Sequence, residues 1–349
     1  MKLWLETRQV LDQLGALHRE GRRAALATVV RVRGSAYRHE GAKLLVPESG
    51  EATGNVSGGC LEEDVREVAQ RVIRTGIPER RSYCGGANEI AAWDLGVGCE
   101  GEVEILIEPC NTDRTAERAR IAAEEAFVVV TRVDAMDATA APGEPERRVL
   151  GGADAAPWRA AGRSGLQRHE GREYFVDLLE PPPRLLIVSA GDDARHLARI
   201  ATDVGFRVVV ADRRPGLLAR DRFPASVCLV ESDAARLTER VVLDPDSFAV
   251  VMTHHFADDT AYLRALLHSP VRYLGVLGPR QRTERILGIL RQDGPVDESR
   301  IFGPVGLDIG TDGAEQVALA VIAEILAVRS GRSPRSLRER RAPIHAHAE

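Results

Sequence analysis

The stretch R-L-L-I-V-S-A-G-D-D-A-R-H-L-A-R-I-A, residues 184–201, decides the fold of the second half of this chain. Its first residues predict a buried strand, and its last residues predict a helix that begins after a tight turn. The next predicted strand, F-R-V-V-V-A-D, ends at Asp212, about 20 residues after the turn, as in a dinucleotide-binding βαβ unit. The turn positions of that unit are filled by Ser189, Gly191 and Ala194. We therefore predict a Rossmann-like, doubly wound parallel sheet over residues 184–330.

The turn itself predicts a poor nucleotide site. A serine stands where the unit usually has its first glycine, and Asp192 and Asp193 place negative charge where a pyrophosphate would bind. If NAD(P) binds at all, we expect it to bind weakly, through Ser189, Gly191 and Asp212.

A polar segment follows a later strand of this predicted sheet, at the carboxyl edge where such folds bind their ligands. It contains His254, His255, Asp258 and Asp259. These side chains could form a metal site. Alternatively, the two acids only stabilise the start of the next helix.

The first half of the chain follows a different pattern. Apolar residues at helical spacing predict an amphipathic helix over residues 3–20, and the segments after it predict a β-hairpin. Three prolines at 181–183 form a stiff spacer, where we place a domain boundary. We therefore predict an α/β protein with a mixed α+β domain over residues 1–180, the Rossmann-like domain, and a mobile tail over residues 331–349.

The sequence T-G-N-V-S-G-G-C-L-E, residues 53–62, brings Cys60 through a glycine-rich turn to the start of a predicted helix. Unpaired N–H groups and the positive end of the helix dipole favour a thiolate or a bound anion there. Gly58 and Gly59 would let a ligand approach bare backbone. The alternative is a small thiol buried under the helix, and the acids that follow Cys60 would oppose a thiolate.

A second thiol, Cys99, lies in another glycine-rich turn, G-V-G-C-E-G. We expect Cys60 and Cys99 to face one crevice of the first domain, open toward the nucleotide turn of the second. Cys84 is a weaker candidate, whereas Cys110 and Cys228, at or inside apolar strands, are predicted core residues. The cysteines form no C-x-x-C pair and have no partnering histidines, which argues against structural zinc.

Four cations lie on or beside the predicted hairpin: Arg31, Arg33, Arg38 and Lys43. Near a glycine-rich helix start they could hold a phosphate. The alternative is a solvated strand face.

The composition narrows the class of protein. A length of 349 residues favours two domains, and a net charge of -5 gives no sign of nucleic acid as the main partner. No apolar run approaches the roughly 18 residues of a membrane span, and the first residues do not form a secretory signal, so we expect a cytoplasmic location. In that reducing compartment we expect the five cysteines, an odd number, to be free thiols.

Together, the motifs of both halves resemble the XdhC/CoxI family of accessory proteins. The first half contributes G-S-A-Y-R-H-E-G-A-K-L-L-V, S-G-G-C-L-E and G-V-G-C-E-G. The second half contributes S-A-G-D-D-A, V-V-V-A-D-R-R, M-T-H-H-F-A-D-D and L-G-P-R-Q-R-T-E-R-I-L. The resemblance extends over nearly the whole chain, from about residue 20 to residue 332.

This resemblance implies a maturation factor for molybdenum hydroxylases such as xanthine, aldehyde or CO dehydrogenase. Such proteins bind the molybdenum cofactor, molybdopterin, assist its sulfuration with a cysteine desulfurase, and pass it to the apoenzyme. The thiols of Cys60 and Cys99 fit a soft molybdenum centre, and Arg38 and Lys43 fit the pterin phosphate. Whether the protein forms a homodimer is left open.

Two other functions are compatible with the sequence. The first is an NAD(P)-dependent oxidoreductase built on the second domain, with His254 as its only well-placed acid or base. The second is a scaffold that bridges the desulfurase and the apoenzyme without binding cofactor. A non-enzymatic chaperone remains the interpretation that we favour.

Overall fold

The computed structural model describes residues 2–34, 36–84, 102–134, 145–339 and 341. The chain divides into two compact units, Lys2–Pro181 and Pro182–Glu349, which we call the N-terminal and C-terminal units. In the described part of the chain, every helix is too short or too polar to cross a lipid bilayer.

The N-terminal unit combines helices with antiparallel strands. The helices that the structure describes in it are α1 (Lys2–Arg19), α2 (Glu62–Thr75), α3 (Thr115–Ala122) and α4 (Gly152–Arg159). Its described strands are β1 (Ala24–Arg33), β2 (Lys43–Pro47), β3 (Thr53–Gly54), β4 (Glu79–Cys84), β5 (Glu102–Pro109), β6 (Phe127–Arg132), β7 (Arg147–Gly151), β8 (Gly165–His169) and β9 (Arg172–Leu179).

These strands form two sheets, in the orders β3-β2-β1-β5-β4 and β7-β6-β9-β8. Helix α2 buries its apolar stripe, which includes Val65, Val68 and Val72, on one face of the first sheet. Helix α1 covers the other face with Val10, Leu14 and Leu17. It also packs against the second sheet through Trp4 and Leu11. One amphipathic helix therefore packs against both sheets of the unit.

The C-terminal unit alternates strands and helices. Its strands are β10 (Arg184–Val188), β11 (Arg207–Asp212), β12 (Cys228–Glu231), β13 (Phe248–Val251), β14 (Tyr273–Val276) and β15 (Ile301–Phe302). Its helices are α5 (Asp192–Asp203), α6 (Leu237–Arg240), α7 (Phe256–Leu267), α8 (Arg280–Asp293) and α9 (Ala314–Ser330), and short 3-10 turns lie at Pro215–Leu217, Arg220–Arg222, Glu298–Arg300 and Leu337–Glu339.

All six strands of this unit are parallel, in the order β12-β11-β10-β13-β14-β15. The central strands are buried on both faces, so each reads as a continuous apolar run. The strand order reverses between β10 and β13, and folds of this kind bind ligands at the carboxyl edge of that switch point. The predicted fold class, a mixed α+β unit followed by a Rossmann-like sheet, is confirmed.

Candidate functional site

Cys60 lies exposed in the turn that enters α2, two residues before the helix begins. Ser57 and Glu62 hold this turn in shape. The hydroxyl oxygen of Ser57 accepts hydrogen bonds from the backbone N–H groups of Gly59 and Leu61, at 3.1 Å each. The Ser57 hydroxyl donates to the Glu62 carboxylate, and the Ser57 backbone N–H donates to that carboxylate at 2.9 Å. The thiol therefore stands on a fixed loop.

The carboxylate of Glu62 is ionised in this arrangement. Burial alone would raise its pKa, but the hydrogen bonds from the hydroxyl and backbone of Ser57 outweigh burial and lower the pKa below the ordinary value of 4.5. The sequence suggested only that this acid opposes a thiolate. Its role as a clamp had no signal in the sequence, because Ser57 and Glu62 are five residues apart, whereas the serine and glutamate of a capping box are three apart.

Two glycines make room beside Cys60. Gly59 has a φ of 113°, a conformation that favours glycine, and a Cβ atom there would meet open space. Gly58 lies under the ring of Tyr37, whose nearest carbon would be 3.5 Å from a Cβ atom at Gly58. The exposed ring of Tyr37 thus brings the tip of the β1–β2 hairpin to the Cys60 turn.

The register of the first sheet shows which segments leave it at the same end. The last residue of β1, Arg33, pairs with the first residue of β5, Glu102, which also pairs with Cys84 at the end of β4. Strand β3 runs toward this end: Gly54 lies opposite Leu44, which pairs with Ala27 of β1, and the chain continues from Gly54 to the Cys60 turn. Residues 85–101, with Cys99, lie outside the described residues, but the strands before and after them terminate at this end of the sheet.

The proposed phosphate ligands Lys43 and Arg38 are engaged inside the unit. The ammonium group of Lys43 is buried and donates to Asp177 at 2.5 Å, to the carbonyl oxygen of Gly41 at 2.9 Å and to Thr7 at 3.4 Å. An ammonium group has three protons, so these contacts use all of them. The guanidinium group of Arg38 is bound to the carboxylate of Glu6. This geometry gives no support to the expectation that these two cations hold a phosphate.

The other two hairpin cations are also paired. Arg31 donates to Glu104 at 2.6 Å and to Glu173 at 3.2 Å, and Arg33 donates to Glu102 at 3.1 Å. Glu173 belongs to the second sheet, so Arg31 joins the two sheets. All four hairpin cations therefore form ion pairs with carboxylates of the N-terminal unit.

The remaining thiols differ from one another. Cys110 is buried in the core between α1 and the first sheet, as predicted. The prediction that Cys228 is a core residue was wrong, because Cys228 is exposed. It begins β12, the edge strand of the parallel sheet, where one strand neighbour is missing and apolar flanking residues do not ensure burial.

In the C-terminal unit, the predicted nucleotide turn joins β10 to α5 at the switch point. Ser189 is buried with a φ of 146°, a conformation that favours glycine. Its hydroxyl oxygen accepts a hydrogen bond from the backbone N–H of Gly191 at 3.1 Å. Asp212 accepts from the backbone N–H of Ala190 at 2.8 Å and from the guanidinium group of Arg214 at 2.9 Å. The structure thus brings Ser189, Gly191 and Asp212 together around one turn.

Each of the two acids at the start of α5 has a side-chain partner. Asp192 binds Arg195 at 3.2 Å and Arg222 at 3.1 Å, and these hydrogen bonds lower its pKa below the ordinary value. The Asp193 carboxylate lies 2.9 Å from Nε2 of His254, across the switch point. Repulsion of a phosphate by Asp192 is therefore weaker than the sequence suggested.

The residues at this turn do not fit a bound dinucleotide. Two N–H donors of the turn are used by Ser189 and Asp212, and the Asp212 carboxylate, which would hold a ribose, is occupied by Arg214. The segment after β13 offers no metal site either. His255 caps α7 by accepting from the N–H of Asp258, and the described residues contain no group of three or more His, Cys, Asp or Glu that could hold a metal ion.

Comparison with known proteins gives matches in both units. A model of the XdhC and CoxI family matches residues 17–84, and a model of the XdhC Rossmann domain matches residues 185–325. The chain is 32% identical over 326 residues to a protein from Bacillus subtilis (strain 168) that is named as a probable xanthine dehydrogenase subunit, covering 90% of this chain and 96% of that protein.

Two further proteins are similar along most of their length. The chain is 25% identical over 316 residues to the molybdenum cofactor insertion chaperone PaoD of Escherichia coli (strain K12), covering 88% of this chain and 84% of PaoD. The crystal structure of a xanthine dehydrogenase from Bacillus halodurans superposes with a TM-score of 0.75 at 28% identity, covering 93% of this chain and 96% of that one.

Proposed function

The chain belongs to the XdhC and CoxI family, and on this premise we propose that it binds the molybdenum cofactor and delivers it to a molybdenum hydroxylase. One relative named as a molybdenum cofactor insertion chaperone and another named for xanthine dehydrogenase support this role. The proposed client is an apoenzyme of the xanthine, aldehyde or CO dehydrogenase type, met in the cytoplasm.

The single observation that carries the proposal within the structure is the exposed thiol of Cys60 on its clamped, glycine-rich turn. Sulfur is a soft ligand that suits a soft metal centre, and the open space at Gly59 admits a ligand to the backbone. In this proposal Cys60 contacts or protects the sulfur on the molybdenum, and Cys99 of the glycine-rich sequence G-V-G-C-E-G assists.

The sulfuration step belongs to the same proposal. A cysteine desulfurase would supply the sulfur, and the chaperone would hold the cofactor while the sulfur is transferred. The exposed thiol of Cys60 is accessible to a partner protein, which a buried thiol such as Cys110 is not. The exposed acids Glu63 and Asp64 near Cys60 offer a negative surface to such a partner.

The rival function, an NAD(P)-dependent oxidoreductase, has less support. It needs a dinucleotide at the β10–α5 turn, where the N–H donors and Asp212 are already used internally. The acid or base that the sequence singled out for it, His254, is bound to Asp193. A purified protein that transfers no hydride with NAD or NADP across a panel of aldehydes and purines would agree with this assessment.

The test compares Cys60→Ala with Cys228→Ala, which removes an exposed thiol from the other unit. Each protein would be produced in a molybdenum-replete host and measured for bound molybdenum, for bound pterin by fluorescence, and for activation of the apoenzyme. We expect Cys60→Ala to lose at least tenfold in retained cofactor and Cys228→Ala to match the parent. Both should keep their stability within about 0.5 kcal/mol, as usual for exposed sites.

Equal cofactor content and equal client activation in Cys60→Ala and the parent would show that this thiol has no role in binding. Cys99→Ala should show a smaller loss than Cys60→Ala if Cys99 only assists. A parent protein that never retains cofactor, yet still promotes apoenzyme activation by the desulfurase, would favour the scaffold instead.

A further inference from the structure

An open groove of about 570 Å³ lies along the outer face of α1 in the N-terminal unit. Its volume is within the range of small-molecule sites. The groove is lined by Leu5, Arg8, Gln9, Asp12 and Gln13 of α1 and by Thr53 of β3. The five helical residues follow the spacing i, i+3, i+4, i+7 and i+8, so they share one face of the helix.

Gly54 allows β3 to approach this helix closely. It has a φ of 90°, and a Cβ atom there would lie 2.3 Å from the carbonyl oxygen of Lys43 and 3.3 Å from the side chain of Val10. A larger residue would push β3 away from α1 and β2. The position of Thr53 beside the helix, and with it one wall of the groove, therefore depends on Gly54.

The charges of the groove are available to a ligand. Among the described residues, Arg8 and Asp12 make no ion pair and no side-chain hydrogen bond, although they are four residues apart on one helix. An ion pair between residues four apart on a helix is less stable when the cation precedes the acid, as Arg8 precedes Asp12. By contrast, Arg31, Arg38 and Lys43 of the neighbouring hairpin are all bound to carboxylates.

The side chains that line the groove can pair with a pterin or guanine ring. Pterin and guanine share a ring edge on which a ring N–H and an amino group point the same way, and a carboxylate can accept from both. Asp12 supplies that carboxylate, Arg8 supplies a partner for a phosphate, and Leu5 supplies an apolar surface for the ring. The amides of Gln9 and Gln13 can pair with the remaining ring atoms.

We propose that the α1–β3 groove binds the 2-amino-4-oxo ring of a phosphate-bearing pterin or guanine compound, with Asp12 on the ring edge and Arg8 on the phosphate. That the natural ligand is the pterin of the molybdenum cofactor rests on the proposed function. Thr53 precedes Cys60 by seven residues, a span of at most about 25 Å. The groove replaces Lys43 and Arg38 as the phosphate-binding element.

The test measures binding of neopterin monophosphate and of guanosine monophosphate to the full-length protein by equilibrium dialysis. Asp12→Asn keeps the size of the side chain but presents an amide to the two ring donors, so we expect at least a tenfold loss of affinity for both probes. Arg8→Gln should lower the affinity for neopterin monophosphate at least fivefold and leave the affinity for phosphate-free neopterin unchanged. The matched controls Glu67→Gln and Arg66→Gln alter exposed residues of α2 and should bind as the parent does.

The outcomes separate the groove from the proposed function. Probes that bind the parent and both groove variants equally, or that do not bind the parent, would overturn the groove proposal. If molybdopterin from a denatured molybdoenzyme binds the parent and both variants equally, the chaperone function is supported and the groove proposal is contradicted. If the phosphate probes bind as expected but molybdopterin does not bind, the groove proposal is supported and the proposed function is contradicted. A preference for guanosine monophosphate would identify guanine as the ring.

Discussion

At the scale of single residues, Lys43 and Asp177 form an ion pair inside the N-terminal unit, with side chains only 4% and 5% exposed. Replacing one partner leaves the other charge buried without compensation. We therefore expect Lys43→Met to lower the free energy of unfolding by about 3–5 kcal/mol. Urea denaturation followed by circular dichroism measures this change.

Two controls identify the cause of that loss. The double variant Lys43→Met with Asp177→Leu removes both charges and should recover most of the lost stability. Arg33→Ala breaks the exposed pair with Glu102 and should cost no more than about 1 kcal/mol. A Lys43→Met protein as stable as the parent would mean that the pair is hydrated in solution and that Lys43 is available for a ligand.

At the scale of elements, α3 carries a buried acid that makes stability depend on pH. Burial opposes the charge on Glu117, but Arg147 and Arg114 outweigh burial and hold its pKa below the ordinary value of 4.5. A carboxyl group with a lowered pKa stabilises the fold fully above its unfolded pKa, and this contribution is lost as pH falls through the folded pKa.

We expect the parent to lose stability below about pH 4.5, near the unfolded glutamate value, and Glu117→Gln to lose less over the same interval. The difference between the two proteins in unfolding free energy should be largest at pH 7 and shrink toward pH 3. The comparison variant Glu125→Gln removes an exposed partner of Arg120 and should follow the parent at every pH. A constant difference between Glu117→Gln and the parent would show that Glu117 does not titrate differently on folding.

The turn between β10 and α5 leads to a prediction about nucleotides. Since its N–H donors and Asp212 are used internally, we expect calorimetry to give NAD and NADP dissociation constants of about 1 mM or weaker, which corresponds to about 4 kcal/mol of binding energy. Arg214→Ala frees the Asp212 carboxylate and should strengthen the binding of NAD more than that of NADP. Only NAD has a free ribose 2′-hydroxyl that can donate to this carboxylate. Micromolar binding of NADP by the parent would contradict both expectations.

At the scale of the whole molecule, each unit has its own core. The two hydrophobic clusters around the parallel sheet contain only residues after Pro182, and the remaining clusters contain only residues before Pro181. We therefore expect residues 182–341 to fold alone and to unfold cooperatively on heating. The fragment 215–341 lacks β10 and β11 and should not fold. A fragment 182–341 without a cooperative transition would show that the unit depends on the first half of the chain.

Local sequence determined the order of elements. The continuous apolar run Leu185–Val188, followed by a tight turn, predicted a buried strand, and the spacing to Asp212 indicated a βαβ unit. The same reasoning located the exposed Cys60 at a helix start, because glycines and a following helical period are features of neighbouring residues. The inference that the ligand is a molybdenum cofactor came from the family resemblance, which rests on motifs spread over both halves. No single motif indicates molybdenum.

Tertiary structure decided which polar side chains are available to a ligand. Lys43 and Asp177 are 134 residues apart in sequence and 2.5 Å apart in the fold, so no local pattern predicts their pairing. The same holds for His254 and Asp193, and for the exposure of Cys228 on an edge strand. A charge binds a ligand only if folding leaves it without a partner, and partners are chosen by the packing of distant elements. Arg8 and Asp12, which no motif marks, are exposed charges on one face of α1 whose lack of partners among the described residues follows only from the fold.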